Sequence, residues 1–308
     1  MAQLKTKAAK ERLLRRVRRQ RLKYITILPS LVTILNGVCG FAAIILTSKG
    51  AFALAGYLIL LAMIADMFDG RLARMSQSTS SFGGQLDSLC DTISFGVAPA
   101  FLMLGILEHK LELTGFVGES FLQRFIWLAA TAYVICATIR LARFNVENEE
   151  DESAHMSFMG LPTPAAAGVI VSLVIFHQEI ILPGLVAENT QAFLSFCENA
   201  IIYLLPFLVL GVAVLMVSRI RYPHILNQYL RGKKPFAYLI RVLLLFAFVL
   251  WSIQVALVLI FCGFAAGSFL KWLYYKVIRR KSFLVLSTEI PALMDTDEVE
   301  IPEPNSGV

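Results

Sequence analysis

Long apolar stretches without a charged side chain recur along the sequence. Residues 24–48, 199–218 and 242–270 contain no Asp, Glu, Lys or Arg. A helix needs about 20 apolar residues to cross the hydrocarbon core of a bilayer, and each of these stretches reaches that length. The pattern therefore predicts an all-α fold, namely a polytopic membrane helix bundle.

Eight membrane helices are predicted from this pattern. They cover roughly 27–47, 51–68, 84–106, 123–142, 163–182, 200–218, 236–253 and 256–274. The last two form a C-terminal hairpin in this interpretation, although 242–270 could also form one long tilted helix. Basic residues cluster on both sides of that stretch, at 219–241 and at 276–281. A hairpin keeps both clusters in the cytoplasm, as the positive-inside rule requires.

Composition excludes an ordinary soluble protein, and the charges lie mainly at the ends of the chain. The 308 residues are 57% hydrophobic, with mean hydropathy +0.69 and net charge +6. Residues 1–24 hold ten Lys or Arg and one Glu, so we expect a basic cytoplasmic segment that contacts anionic lipid headgroups and not nucleic acid. Residues 282–308 hold six acids and no Lys or Arg, which predicts a disordered tail. The acidic run 147–152 is predicted to be a cytoplasmic loop.

Four aspartates lie at the ends of the second and third predicted helices. Asp66 and Asp69 are three residues apart and Asp87 and Asp91 are four apart, so each pair lies on one face of its helix. The linker at 75–82 is short and polar, which predicts an antiparallel hairpin. That hairpin would bring the two carboxylate pairs together.

Such a cluster of acids predicts a metal site. Four carboxylates share a low-dielectric site only when positive charge joins them. Oxygen ligands select hard cations such as Mg²⁺, Mn²⁺ or Ca²⁺, and two such cations would clamp a diphosphate. Gly70 and Gly83 lack a Cβ and leave room for a ligand beside the acids. Arg74 adds a forked cation suited to phosphate oxygens.

The stretch 66–91 carries the pattern D-x2-D-G-x2-A-R-x8-G-x3-D-x3-D, on which the chain resembles the CDP-alcohol phosphatidyltransferase family. The matching residues are Asp66, Asp69, Gly70, Ala73, Arg74, Gly83, Asp87 and Asp91. The resemblance implies a six-helix membrane core that is usually dimeric. It also implies two divalent metals, Mg²⁺ or Mn²⁺ with Ca²⁺ as a further option, held by the first three aspartates with help from the fourth. Asp91 would in addition serve as the general base.

Further stretches are similar to the phosphatidylserine synthase subfamily. They are LPSLVTILNGVCGF at 28–41, SFGVAPA at 94–100, RLARFNV at 140–146, GLPTPAAAG at 160–168 and SRIRYP at 218–223. Ser30 stands where that subfamily usually has Asn. The resemblance thus divides the chain into a core at 25–225, a C-terminal hairpin at 226–281 and the acidic tail. By this resemblance the CDP-lipid is bound by Thr33, Asn36, Gly70, Ala73, Arg74, Ser80 and Gly83.

The acceptor alcohol is predicted to be serine, which brings a carboxylate to a site already crowded with acids. Arg140 and Arg143 end the fourth predicted helix on the cytoplasmic side, where a guanidinium could hold that carboxylate, and Asn145 could hydrogen-bond serine. Glycerol 3-phosphate and inositol remain alternative acceptors. From another class, the four carboxylates could line a cation transporter, although no acids continue across the bilayer.

The reaction implied is transfer of the phosphatidyl group from CDP-diacylglycerol to serine, which yields phosphatidylserine and CMP. In this reaction Asp91 takes the proton of the serine hydroxyl. The expected partners are the two substrates, membrane lipids and a second copy of the chain. The expected location is the inner cell membrane, with both termini and the active site in the cytoplasm.

Overall fold

The computed structural model describes residues 30–76, 81–111, 120–150, 160–186, 191–218, 252–267, 269–270 and 273–274. Every regular element in these ranges is helical, which confirms the all-α prediction. The α-helices are α1 Ser30–Ser48, α2 Phe52–Ser76, α3 Ser81–Asp91, α4 Ala98–Lys110, α5 Phe121–Glu150, α6 Thr163–Phe176, α7 Leu182–Val186, α8 Gln191–Val217 and α9 Ile253–Gly267. Two π-helical segments, Thr92–Val97 and His177–Ile181, join α3 to α4 and α6 to α7.

Six helical spans in the described part of the chain are long and apolar enough to cross a membrane. They are Ser30–Ser48, Phe52–Leu72, Phe82–Lys110, Phe121–Val146, Thr163–Gly184 and Ala192–Val217. These spans match the first six predicted helices and indicate a multi-pass membrane protein. Among the helices from α2 to α8, α5 and α8 pack together most extensively, and α2 packs on α6.

Several helices extend beyond their predicted bounds. α2 continues to Ser76 instead of ending near 68, and α5 continues to Glu150, so residues 147–150 are helical and not the predicted loop. α8 begins at Gln191, nine residues before the predicted start. The reason is the same in each case. The prediction ended each helix where a charged residue ends the apolar span, but the helix continues because Arg, Glu and Leu are good helix formers.

α1 presents small and polar side chains to the protein and large apolar side chains outward. Thr33, Asn36 and Ala43 are buried, whereas the side chains of Leu35 and Phe41 are 50% and 59% exposed. Lipid tails are as apolar as leucine, so the hydrophobic effect does not force large apolar side chains inward in a bilayer. Small residues instead allow close helix contact.

Two glycines let α1 approach the end of α3 very closely. A Cβ added to Gly37 would lie 2.9 Å from Sγ of Cys90, and one added to Gly40 would lie 2.4 Å from Oγ of Ser94. The Ser94 hydroxyl donates to the backbone carbonyl of Asn36 at 2.8 Å, which ties the two segments together. The glycines of the first predicted helix therefore serve packing against the end of α3 and the π-helical segment that follows it.

The π-helical segment Thr92–Val97 follows directly after the last signature aspartate. A π segment inserts an extra residue into the helix and alters its hydrogen-bond ladder, and such segments are frequent at functional sites. The buried hydroxyl of Tyr133 on α5 donates to the backbone carbonyl of Phe95 at 2.9 Å. α5 is thus bonded to the π segment just beyond the aspartates.

α9 packs on α6, whereas the seventh predicted helix, 236–253, lies almost wholly outside the described residues. A Cβ at Gly168 would lie 2.2 Å from the ring of Phe261, so α6 accepts that ring only because it has no side chain there. Glu179 accepts hydrogen bonds from Tyr57 on α2 at 2.7 Å and from Gln254 on α9 at 2.6 Å. Residues from 266 onward form a second unit, of which only short helical pieces are described.

We predict that Gly40→Ala destabilises the protein by about 1–3 kcal/mol, because the new methyl group would overlap Ser94. The measurement is the free energy of unfolding in detergent. Gly211→Ala on the exposed face of α8 is the matched control, since a Cβ there would meet nothing within 4 Å. Alanine at 211 should keep or raise stability through its better helix propensity. Equal behaviour of the two variants would contradict the close contact.

Candidate active site

The hairpin of α2 and α3 brings three of the four signature aspartates together. One carboxylate oxygen from each of Asp66, Asp69 and Asp87 lies within 4.8 Å of the others. Asp66 and Asp69 are adjacent on α2 because three residues make nearly one helical turn. Residues 77–80 join the two helices and lie outside the described part. The predicted meeting of the carboxylate pairs is confirmed for these three residues.

The cluster has the character of a cation site. Asp69 is only 4% exposed. Oδ2 of Asp69 and Oδ1 of Asp87 are buried and have no hydrogen-bond partner among the described residues. Buried carboxylate oxygens without a donor are costly, and a hard divalent cation is the partner that oxygen-only ligands select. The donor set therefore fits a divalent metal centre.

Asp91 lies outside this cluster of three but close to it. It is one helical turn beyond Asp87 on α3, and the charges of Asp66 and Asp87 act on it. Its side chain is buried, and Nδ2 of Asn36 donates to its Oδ1 at 2.8 Å. The fourth aspartate thus has a neutral donor from α1, in addition to any contact with a metal.

Thr33 and Asn36 approach the aspartates from α1. The Thr33 side chain hydrogen-bonds Asp69, and the backbone N–H of Gly70 also bonds that carboxylate. Sequence reasoning assigned Thr33 and Asn36 to the CDP-lipid and overlooked their contacts with acids. Their three-residue spacing on an apolar helix was the available signal, but the pattern does not identify the partner across the helix interface.

The glycine and arginine positions of the signature are only partly described. A Cβ at Gly70 would meet nothing within 4 Å, so no described neighbour requires glycine there. This open space agrees with the expected approach of a ligand. Gly83 is half-buried, whereas the side chains of Ala73 and Arg74 and the whole of Ser80 lie outside the described part.

The predicted acceptor residues lie on the last turns of α5. Nη1 of Arg140 donates to Oγ1 of Thr163, the first residue of α6, at 3.1 Å. The start of α6 is in turn held on α8, because the N–H of Leu161 donates to the carbonyl of Leu215 at 3.1 Å. Arg143 lies one turn further along α5 and is half-buried. Thr163 was not singled out from the sequence.

Asn145 is bonded to α3 beside the metal candidates. Its Nδ2 lies 2.7 Å from Oγ of Ser88, the residue after Asp87. This contact joins the helix with the predicted acceptor residues to the helix with two of the aspartates. Ser88 was not singled out from the sequence, because a serine between apolar residues carries no specific signal.

Comparison with known proteins places these residues within a family. Residues 26–196 match the CDP-alcohol phosphatidyltransferase family. The CDP-diacylglycerol–serine O-phosphatidyltransferase of Helicobacter pylori (strain ATCC 700392 / 26695) is 34% identical over 197 residues, which cover 64% of this chain and 71% of that protein.

Two further relatives extend this likeness. The CDP-diacylglycerol–serine O-phosphatidyltransferase of Bacillus subtilis (strain 168) is 32% identical over 64% of this chain and 90% of that protein. The archaetidylserine synthase of Methanothermobacter thermautotrophicus is 34% identical over 64% of this chain and 70% of that protein. The matched family region contains all four signature aspartates.

We predict that the purified protein binds Mn²⁺ and that Asp69→Asn or Asp87→Asn weakens this binding more than about tenfold. Even residues that only support metal ligands cost about 10–100-fold in affinity when changed, and these two carry the buried oxygens without donors. Electron paramagnetic resonance of free Mn²⁺ during a titration measures the affinity. Glu108→Gln, at the opposite end of the Phe82–Lys110 span, is the control. Unchanged affinity in both aspartate variants would exclude the metal centre.

Proposed function

The chain belongs to the CDP-alcohol phosphatidyltransferase family, and we propose that it transfers the phosphatidyl group of CDP-diacylglycerol to the hydroxyl of L-serine. The products are phosphatidylserine and CMP. The observation that carries the proposal is the cluster of Asp66, Asp69 and Asp87, formed by an intact family signature at one end of two membrane helices. The names of the relatives support serine as the acceptor. The name archaetidylserine synthase indicates a different lipid but also contains serine.

Asp66, Asp69 and Asp87 would hold the divalent metal, with Asp91 assisting. Mg²⁺ or Mn²⁺ suits the oxygen-only donor set, and two ions per site agree with the family pattern. When bound, the metal supplies positive charge that stabilises the diphosphate and the departing CMP. Without that charge the three carboxylates would repel a diphosphate and each other.

Asp91 is the proposed general base. The serine oxygen forms a bond to the lipid-side phosphorus, and the bond from that phosphorus to the CMP oxygen breaks, so its electron pair leaves with CMP. The proton of the serine hydroxyl passes to a carboxylate oxygen of Asp91. Its place on α3, one turn from Asp87, supports this assignment because the base must lie beside the site of the diphosphate.

The proposed acceptor site lies at the end of α5. Arg140 and Arg143 can balance the carboxylate of serine, which would otherwise meet only acids. Arg140 donates to Oγ1 of Thr163 through Nη1 only, and a guanidinium carries five N–H bonds in all. Asn145 stays a predicted acceptor residue, and its bond to Ser88 keeps the end of α5 next to α3.

We predict that CMP is released from CDP-diacylglycerol with serine and that Asp91→Asn abolishes this release.

Serinol lacks the carboxylate of serine and should be a poor acceptor. Arg143→Ala should lower kcat/KM for serine about tenfold to a hundredfold, because a lost charge-assisted hydrogen bond costs about 1.5–3 kcal/mol. The same change should affect serinol little. The measurement is CMP release in detergent.

Arg124→Ala is the matched control for this experiment. Arg124 lies on the same helix, 19 residues before Arg143 and so about 28 Å away, and its removal should leave both acceptors unaffected. Equal losses for serine and serinol in Arg143→Ala would show that Arg143 does not hold the carboxylate. Release with glycerol 3-phosphate or inositol, but not with serine, would discard serine and keep the reaction type.

The proposed orientation places both termini and the aspartate cluster in the cytoplasm of a cell whose inner membrane holds the protein. The proposed division of the chain is a basic segment at 1–24, a core at 25–225, a hairpin at 226–281 and an acidic tail at 282–308. Basic residues flank the helices on the cytoplasmic side, which supports the proposed orientation.

A homodimer is proposed from the family pattern alone, and the mass of the protein in detergent tests it.

We predict that reporters inserted at 147–152 and fused after Lys281 both report a cytoplasmic location. Both sites border basic clusters or helix ends that the positive-inside rule assigns to that side. A reporter in the 48–50 turn between α1 and α2 should report the opposite side. If the first two reporters lie on opposite sides, one long helix replaces the proposed terminal hairpin.

A further inference from the structure

α1 carries two buried polar side chains, and each bonds a different aspartate of the signature. Thr33 and Asn36 are 5% and 0% exposed. Thr33 bonds Asp69 near the end of α2, and Asn36 bonds Asp91 on α3. Because the two are one turn apart on α1, a single helix face reaches both halves of the hairpin.

The burial of these side chains limits what else they can touch. A nucleotide contact needs accessible polar atoms, and both residues have almost no accessible surface. Nδ2 of Asn36 is engaged by Asp91 at 2.8 Å. These contacts favour a role in holding carboxylates over the predicted role in binding the CDP-lipid.

α1 is itself held in place against α3, which makes its donors well positioned. The hydroxyl of Ser94 donates to the carbonyl of Asn36 at 2.8 Å. Gly37 and Gly40 allow the two backbones to approach, since a Cβ at either position would overlap Cys90 or Ser94. A donor on a helix fixed in this way holds a carboxylate in one rotamer without adding charge.

We propose that Thr33 and Asn36 are positioning residues, Thr33 for the metal-binding carboxylate of Asp69 and Asn36 for the base Asp91. The inference rests on the proposed function. Thr33 orients Asp69, whose Oδ2 has no partner among the described residues and stays available to a cation. Asn36 fixes Oδ1 of Asp91, so the carboxylate that accepts the serine proton does not need to reorient during the reaction.

The chain offers a matched pair of substitutions on one helix. Thr33→Val removes a hydroxyl that bonds Asp69 and keeps the shape of the side chain. Thr47→Val makes the same change at a buried threonine of α1 whose hydroxyl donates to the backbone carbonyl of Ala43 at 2.9 Å. Asn36→Leu removes the donor to Asp91, and Asn36→Ser, which keeps a polar hydrogen on a shorter side chain, is used if the leucine variant does not fold.

The experiment measures Mn²⁺ affinity by electron paramagnetic resonance, kcat with serine, and KM for CDP-diacylglycerol at saturating Mn²⁺. Thr33→Val should weaken Mn²⁺ binding about tenfold and leave that KM within about twofold, because a bond to a charged group is lost. Asn36→Leu should lower kcat about tenfold to a hundredfold and leave KM for CDP-diacylglycerol at saturating Mn²⁺ within about twofold. Thr47→Val should match the wild type in all three.

Other outcomes overturn the proposal. A higher KM for CDP-diacylglycerol with unchanged Mn²⁺ affinity in Thr33→Val, or an unchanged kcat in Asn36→Leu, would assign these residues to the nucleotide or to packing. An equal loss in Thr47→Val would show a general effect of changing α1. The Mn²⁺ titration needs no acceptor, so a wild type that binds Mn²⁺ but does not use serine would defeat the proposed function and still test Thr33.

Discussion

The repulsion among closely spaced, poorly solvated carboxylates is the constraint on which the rest of the structure depends. Asp66, Asp69 and Asp87 offer oxygens within 4.8 Å of one another at the end of two membrane helices, and two of those residues have buried oxygens without a donor. Such a group is stable only with a cation or with protons, because low dielectric strengthens the repulsion. The requirement for positive charge is the physical reason that this fold suits the proposed metal-dependent chemistry on a diphosphate.

Close packing of small residues makes this charged arrangement possible inside a membrane protein. Large apolar side chains of α1 face outward and gain nothing from moving inward, since lipid is as apolar as they are. The inner face can therefore hold Gly37, Gly40 and two hydrogen-bonding side chains. The same property that identifies α1 as a membrane helix places neutral donors beside the acids.

Hydrogen bonds between helices connect the aspartate cluster to the residues of the proposed acceptor site. Asn145 on α5 bonds Ser88 on α3, and Arg140 on α5 bonds Thr163 at the start of α6. Tyr133 on α5 bonds the π segment that follows Asp91. α5 is thus bonded to the elements on both sides of the site, so a displacement of its last turns would move the arginines and the aspartates relative to one another.

The sequence by itself determined the helical class, the six long spans and the pairing of the aspartates on two helix faces, because each of these follows from local properties. Apolar length specifies a span, helical spacing puts two acids on one face, and a short polar linker makes a hairpin. Helix ends were less well predicted, as at Ser76 and Glu150, because charge ends a span but not a helix. Only the tertiary structure decided that Asn36 bonds Asp91, 55 residues away, and that Ser88 bonds Asn145, 57 residues away. Such contacts depend on which helix faces pack together, and that packing is a property of the whole set of helices and not of any one segment.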